Sequence, residues 1–257
     1  MTQAERRIFL IEYLKNEEYR LKNIDIPDDT KMQKQLLRAL MNIRPARPIS
    51  KKFTDIQDIY LREELSEKGI TLFSDLSPVQ SGIYLLKGDI TRLSADAIVN
   101  AANSSMLGCF VPCHSCIDNA IHSAAGVQLR QECFRIMQHQ KGLERTGSVK
   151  ITNAYNLPCR YILHTVGPII YGEVTKEDCE MLANCYRACL ELSMTYHLKT
   201  VAFCCISTGE FHFPNEKAAK IAIKTVQDFQ SKNPNSPEVI FNVFKDKDYE
   251  IYKQLLK

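Results

Sequence analysis

Hydrophobic residues in the first part of the chain recur at helical spacing. Residues 29–43 carry one apolar face, and residues 55–68 have the pattern of a further helix, which Gly69 would end. An earlier helix face consists of four apolar side chains, Ile8, Leu10, Ile11 and Leu14. Prolines lie at the joints between these segments, and no chemical motif occurs in them. We predict that residues 1–69 form a helical N-terminal extension packed on the rest of the chain.

From about residue 70, short apolar runs alternate with helical patterns. Strands are predicted at residues 70–73, 83–87, 97–100, 148–154, 161–166, 200–206 and 238–244. Helices are predicted at residues 117–138, 176–196, 216–230 and 249–256. This alternation is typical of an α/β fold with a mixed, largely parallel sheet between helices. Such a sheet binds ligands at the carboxyl ends of its strands, so the loops that follow strands are where chemistry is expected.

The composition excludes several classes of protein. The 257 residues include 33 Lys and Arg against 30 Asp and Glu, a net charge of +3, and no basic cluster extends beyond Lys51 and Lys52. Neither nucleic acid nor a membrane is therefore an expected partner. Charges interrupt the apolar run at the N-terminus, and no later stretch reaches about 18 apolar residues. A cytoplasmic protein is expected, with its ten cysteines as reduced thiols.

Three loops after predicted strands carry residue types suited to a ligand. Gly88 and Asp89 offer a permissive backbone and a carboxylate acceptor for an exocyclic amine, although Gly-Asp also forms plain turns. Asn100 and Asn103 enclose two alanines and are suited to sugar hydroxyls, or else to an Asx turn. Residues 206–214 place small side chains and a glycine before a helix, which is the arrangement of a phosphate site.

A cysteine-rich segment lies between the second of these loops and the next predicted helix. Cys109, His114 and Cys116 form the pattern Cys-x4-His-x-Cys, and thiolates with an imidazole are a zinc ligand set. Three protein ligands leave an open coordination position, which is typical of a reactive zinc. If Cys113 were a fourth ligand, the site would be a closed structural zinc.

The other cysteines and histidines of interest are interpreted as structural. They lie in apolar runs or on helix faces, where small thiols and hydrogen-bonded imidazoles usually pack. These residues are His122, His164, Cys185, Cys189, Cys204 and Cys205.

Together the motifs resemble the macrodomain family of three-layer α/β/α modules that bind ADP-ribose. The matching segments occur in family order: GDIT at 88–91, NAAN at 100–103, DNAIH at 118–122 with AAG at 124–126, ILHTVGP at 162–168, and ISTG at 206–209 with Phe211. The cysteine insert is similar to that of the zinc-containing subclass of bacteria and some lower eukaryotes. Members of that subclass carry a helical N-terminal extension and are often encoded beside a sirtuin-type ADP-ribosyltransferase. The resemblance implies a macrodomain over residues 70–257.

The resemblance also implies a role for each motif. Asp89 and Ile90 would hold the adenine, residues 207–211 the pyrophosphate and distal ribose, and Asn103 the distal ribose. The full set of implied ADP-ribose contacts is Asp89, Ile90, Asn103, Cys116, Ile117, Asp118, Ser207, Thr208, Gly209, Glu210 and Phe211. Zn²⁺ would be held by Cys109, His114 and Cys116. Asp118, aided by Asn103, would orient or deprotonate the attacking water.

The expected activity is a zinc-dependent, glycosidase-type hydrolysis that removes mono-ADP-ribose from a modified protein and releases ADP-ribose. No second carboxylate in the motifs is placed to protonate a leaving group, so Asp and Glu esters are the expected linkage, rather than serine or arginine. Two alternatives stay open: a non-catalytic ADP-ribose reader with a structural zinc, and a deacetylase of O-acetyl-ADP-ribose. The sequence does not decide whether zinc would bind a water or a ribose hydroxyl.

Overall fold

Three helices open the chain in the computed structural model, which describes residues 1–257. They are α1 (Gln3–Asn16), α2 (Thr30–Ile43) and α3 (Lys51–Lys68). The side chains of Thr2, Asp29 and Ser50 accept hydrogen bonds from the first turn of the helix that each precedes. Because Ser50 caps α3, this helix begins four residues before the predicted start, and Gly69 ends it as predicted.

The N-terminal helices bury a small apolar cluster. Its members are Leu10, Ile11, Leu14, Leu37, Leu40, Met41, Phe53, Tyr60 and Val127. Val127 lies outside the extension, so this cluster also joins the N-terminal helices to the α/β part of the chain. The packing of the extension is as predicted, whereas the boundary at residue 69 stays a prediction.

Nine strands come after the extension, and seven of them form one sheet. The strands are β1 (Thr71–Leu72), β2 (Pro78–Gln80), β3 (Ile83–Lys87), β4 (Leu93–Ser94), β5 (Ala97–Ala102), β6 (Val149–Asn153), β7 (Tyr161–Val166), β8 (Thr200–Phe203) and β9 (Glu238–Val243). The sheet order is β2-β3-β9-β8-β5-β7-β6, and β1 pairs with β4 separately. The five inner strands are parallel and the two edge strands antiparallel. The mixed, largely parallel sheet is therefore confirmed.

Five helices cover this sheet. They are α4 (Ile117–Ala125), α5 (Val127–Gln140), α6 (Lys176–Thr195), α7 (Asn215–Lys232) and α8 (Asp246–Leu255). Helices α4 and α5 pack together, while α6, α7 and α8 form a second group, which gives the three-layer α/β/α arrangement. A core of 41 buried residues fills the space between the layers. None of the helices is both long and apolar enough to span a membrane.

Several predicted elements need correction. The single helix predicted over residues 117–138 is two helices, because Gly126 at φ 100° interrupts it. The strand predicted over residues 200–206 ends at Phe203, where the chain turns into a loop, and the strand predicted over residues 70–73 shrinks to β1. Strand β2 was not predicted, because its three residues at a sheet edge are too few to show an alternating pattern.

The structural cysteines lie where the sequence predicts. Cys185 and Cys189 are fully buried in α6, Cys204 is buried after β8, and Cys205 is half-buried against the same core. All ten cysteines are free thiols, as expected for a reduced protein.

Replacing Gly126 by Ala should destabilise the fold. An added Cβ would lie 2.5 Å from Nε2 of Gln57 in α3, and the alanine would have to adopt a left-handed φ. We expect a loss of about 1–3 kcal/mol in the free energy of unfolding, measured by urea denaturation. Gly142→Ala is the matched control, since nothing lies within 4 Å of its Cβ position. Equal stability of the two variants would contradict this account of the helix break.

Candidate active site

The loop after β3 presents a carboxylate at the protein surface. The N–H of Gly88 donates to the carbonyl of Val243 at the end of β9, at 2.9 Å. Asp89 Oδ1 accepts from the backbone N–H and hydroxyl of Thr91 at 2.9 and 2.6 Å, which fixes the turn. Asp89 Oδ2 has no partner within the chain and is available to a ligand. The side chain of Ile90 is buried in the core, so this residue offers a ligand only its backbone.

An aromatic residue beside this carboxylate was missed by the sequence reasoning. Phe244 directly follows β9, and its side chain is 75% exposed. Because the carbonyl of Val243 accepts from the N–H of Gly88, Phe244 follows β9 at the level of the Asp89 turn. An exposed ring beside a carboxylate is suited to stack on a purine base. The sequence feature that could have identified Phe244 is an aromatic residue at the carboxyl end of a predicted strand, where ligands are expected to bind.

The loop after β5 joins the two residues predicted to be catalytic. Asn103 Nδ2 lies 3.3 Å from Asp118 Oδ2 and donates to the carbonyl of Gly108 at 3.1 Å. Its Oδ1 accepts from the backbone N–H of Ser105 at 3.0 Å, so the Asx turn is present as well. The Asx turn is therefore confirmed, whereas binding of sugar hydroxyls by this side chain stays a prediction.

A chain of buried side chains holds Asp118 from behind. Asn100 Nδ2 donates to Asp118 Oδ1 at 2.8 Å and to Nδ1 of His164 at 3.1 Å. Since Nδ1 accepts, Nε2 of His164 carries the hydrogen and donates to Thr152 Oγ1 at 2.9 Å. Burial lowers the pKa of His164 to about 3, so the ring is neutral. The prediction of a hydrogen-bonded structural histidine is confirmed.

The environment of Asp118 alters its acidity. Burial raises the pKa of this carboxyl to about 6, while the hydrogen bond from Asn100 and the charge of Arg130 lower it. His122 Nε2 lies 3.5 Å from the same carboxylate, and burial lowers the pKa of His122. The neutral ring of His122 also packs against Gly108, where a Cβ would come within 2.8 Å of it. His122 thus packs between Gly108 and Asp118, in agreement with the predicted structural role.

The segment 109–116, called here the metal loop, gathers three potential ligands. The donor atoms of Cys109, His114 and Cys116 all lie within 4.8 Å of one another. Cys109 Sγ is 3.7 Å from His114 Nδ1, and Cys116 Sγ accepts the backbone N–H of Asn119 at the start of α4. Burial raises the pKa of the Cys116 thiol to about 12, so a cation is needed to hold it as thiolate near neutral pH. Two thiolates and an imidazole fit zinc.

Cys113 points away from this group. Its backbone N–H donates to Asn42 Oδ1 at 2.9 Å, and its thiol donates to the carbonyl of Gln35 at 3.3 Å, both in α2. The geometry therefore favours three protein ligands and an open coordination position over a closed site with Cys113.

A second close group, formed by His122, Cys133 and His164, is buried. Both nitrogens of His164 already have partners, and burial raises the pKa of Cys133 to about 12. Packing in the core accounts for this group.

The loop after β8 forms a turn with free backbone N–H groups. Ser207 and His212 have left-handed φ angles of 64° and 57°, and Phe213 N–H closes the turn on the Ser207 carbonyl at 2.9 Å. The successive backbone N–H groups of residues 209–211 have no partner within the chain. Helix α7 begins four residues later at Asn215, with Pro214 as its N-cap. Free N–H groups before a helix N-terminus are suited to phosphate, as predicted.

The loop after β8 lies close against the segment after β7 and against the metal loop. A Cβ on Gly167, after β7, would lie 2.0 Å from Ser207 Oγ, so this position requires glycine. The hydroxyl of Thr208 is occupied by the carbonyl of Cys205 at 3.0 Å. Glu210 Oε1 lies 3.6 Å from His114 Nε2, which places the anion loop beside the metal loop. The predicted loops therefore lie along the same carboxyl edge of the sheet.

This combination of fold and loops defines a three-layer α/β/α module, and the Macro domain family matches residues 99–222. The chain belongs to this family. It is 55% identical to a protein-ADP-ribose hydrolase of Treponema medium over 260 aligned positions, with all of both chains covered. A protein-ADP-ribose hydrolase of Staphylococcus aureus is 45% identical, covering 95% of this chain and 94% of its own. The Trypanosoma brucei macrodomain in complex with ADP-ribose is 30% identical with a TM-score of 0.67, covering 86% of this chain and 95% of its own.

The geometry of the metal loop predicts unequal effects of cysteine replacement. We expect the purified protein to retain one zinc ion per chain, and Cys109→Ser to lose it, because a thiolate ligand is removed. Cys113→Ser is the matched control and should retain zinc, since its thiol faces α2. Metal content measured by atomic emission checks this. Loss of zinc from Cys113→Ser would instead indicate a closed site.

Proposed function

We propose that the protein hydrolyses the bond between a protein side chain and ADP-ribose, with the help of zinc. The proposal rests on one observation: a buried carboxylate, three zinc-type ligands and a row of free backbone N–H groups lie in neighbouring loops that follow strands of one sheet. The activity named for the relatives in Treponema medium and Staphylococcus aureus supports it.

The order of the strands supports ADP-ribose as the ligand. Strands β3, β9, β8 and β5 are successive neighbours, so the loops at their carboxyl ends line the sheet edge in that order. Asp89 and Phe244 come first and suit the adenine, residues 209–211 come next and suit the pyrophosphate, and Asn103 comes last. The span is about 14 Å, three strand spacings of about 4.8 Å. A linear molecule with a base at one end and a sugar at the other fits this row.

The distal ribose would then lie beside Asp118. A carboxylate whose pKa is raised toward neutrality can accept a proton from an attacking water at a useful rate. Hydrogen bonds from Asn100 and Asn103 to its two oxygens fix its orientation without neutralising it. Its negative charge would also stabilise the oxocarbenium-like transition state at the anomeric carbon.

The metal loop would complete the site. Cys109, His114 and Cys116 would hold the zinc ion, which when bound would supply Lewis acidity beside the distal ribose. Their position next to the Asp118 helix gives the metal and the carboxylate access to the same sugar.

Acidic side chains are the modification sites that we propose for the substrate. Glu210 is the nearest second carboxylate, but it is 66% exposed and faces His114, so it is poorly placed to protonate a leaving group. An Asp or Glu ester departs as a stable carboxylate and needs little help, unlike a serine alkoxide or an arginine guanidine. A sirtuin-type ADP-ribosyltransferase is the proposed source of such a substrate.

Two substitutions should separate binding from turnover. Asp118→Asn should lower the rate of ADP-ribose release at least about 100-fold, because it removes the proton acceptor, with little change in ADP-ribose affinity.

Asp89→Asn keeps an acceptor for Thr91 but replaces the free carboxylate oxygen, so it should weaken ADP-ribose affinity about tenfold or more. Release from a mono-ADP-ribosylated protein is followed by chromatography, and affinity by calorimetry. If the zinc-loaded wild type binds ADP-ribose but releases none, the protein is a reader.

Peptides modified through different side chains test the linkage. With matched sequences carrying one ADP-ribose on Glu, Ser or Arg, we expect rapid release only from the Glu ester. Chromatographic release rates under the same zinc-loaded conditions provide the comparison. Faster cleavage of the serine peptide would overturn the assignment of roles and would direct attention to Glu210 as an acid.

A further inference from the structure

We propose that helix α2 of the N-terminal extension positions the metal loop, and that Arg38 is the main positioning residue. This inference rests on the proposed zinc site and assigns a role to the extension. It derives from hydrogen bonds that run between α2, the metal loop and the start of α4.

The metal loop has little internal structure of its own. Within residues 109–116, the backbone forms one hydrogen bond, from His114 N–H to the carbonyl of Val111 at 3.2 Å. Cys113 in the same segment has a left-handed φ of 53°, which is unfavourable for a residue with a side chain. A loop of this kind holds its ligands in place only if neighbouring elements fix it.

Arg38 supplies one such restraint. Its Nη2 donates to the carbonyl of His114 at 3.0 Å, and its Nε and Nη2 donate to Asn119 Oδ1 at 3.1 and 2.7 Å. A single planar guanidinium therefore binds the backbone of a proposed zinc ligand and a side chain of α4 together. A lysine could not make all of these bonds, because its ammonium lacks the fork geometry.

Asn119 in turn forms hydrogen bonds to two further residues of the metal loop, Val111 and Cys116. Its Nδ2 donates to the carbonyl of Val111 at 2.9 Å, and its backbone N–H donates to Cys116 Sγ at 3.4 Å. The side chain is fully buried, so these bonds are shielded from water. Arg38 thus acts directly on His114 and, through the side chain of Asn119, on Val111 of the metal loop.

Asn42, one helical turn further along α2, holds the middle of the loop. Its Oδ1 accepts the N–H of Cys113, and its Nδ2 donates to Ser123 Oγ of α4, both at 2.9 Å. The bond to Cys113 stabilises the strained backbone of that residue. Polar groups behind metal ligands raise metal affinity by fixing ligand orientation, typically by about 10–100-fold.

Lys34 provides a matched control on the same helix. It lies one turn before Arg38 and is paired with Glu64 of α3 at 2.7 Å, without a bond to the metal loop. Lys34→Gln removes a charge and a contact of the extension, as Arg38→Gln does, but should leave the zinc ligands where they are. The pair therefore distinguishes positioning from general support of the extension.

The test compares wild type, Arg38→Gln, Arg38→Lys and Lys34→Gln by competition for zinc with a chromogenic chelator. We expect Arg38→Gln to weaken zinc affinity about 10–100-fold. Arg38→Lys should recover part of that affinity, and Lys34→Gln should match wild type. The metal-free forms of both Gln variants should unfold at similar temperatures, and their ADP-ribose affinities should be unchanged.

The experiment separates the positioning role of Arg38 from the zinc-dependent function. If Arg38→Gln and Lys34→Gln hold zinc equally well, or if zinc loss only follows the instability of the metal-free protein, the positioning role is wrong while the proposed function stands. If Arg38→Gln does not fold, Arg38→Lys decides, because unaltered zinc affinity in that variant would overturn the proposal. If wild type binds no zinc, both the inference and the zinc-dependent function fail.

Discussion

The guanidinium of Arg130 in α5 is buried where the N-terminal extension, the metal loop and Asp118 meet. Burial lowers the pKa of this group to about 10, and the nearby charge of Asp118 opposes that effect. Its nitrogens donate to backbone carbonyls on both sides, those of Met41, Asn42, Arg44, Leu107 and Cys109. A buried cation is stable only with such a set of partners, so the parts that supply them are held together.

This arrangement explains why the extension belongs to the active domain. The last carbonyls of α2 lack helical partners and carry partial negative charge, which Arg130 satisfies. Without the carbonyls of Met41, Asn42 and Arg44, the guanidinium would lose three of its five backbone acceptors, and Asp118 would be left as the opposite charge that compensates it. The extension therefore reaches the surroundings of Asp118 through Arg130, and it also contacts the metal loop directly.

Local sequence patterns predicted those parts of the structure that depend on neighbouring residues. The parallel strands, the end of α3 at Gly69 and the metal-ligand spacing are of this kind. The break at Gly126 was missed although glycine is a local helix-stop signal. The contact that excludes a side chain there comes from Gln57, 69 positions earlier in another helix. The orientation of Cys113 depends likewise on Asn42. The proposed role of Phe244 at the adenine depends on Gly88, which is bonded to the preceding residue of β9. Sequence patterns carry no direct record of such distant pairs.

The two chemical groups of the proposed site have different mechanical supports. Asn100 and His164 are paired residues on adjacent parallel strands, so Asp118 is anchored to the middle of the sheet. The metal loop lies outside the sheet and is fixed by α2, α4 and Arg130. Apart from these elements, the metal loop contacts the loop after β8, where Glu210 Oε1 lies 3.6 Å from His114 Nε2. The extension and the metal loop are therefore best regarded as one structural unit, beside a sheet that positions the carboxylate and the loops proposed to bind the nucleotide.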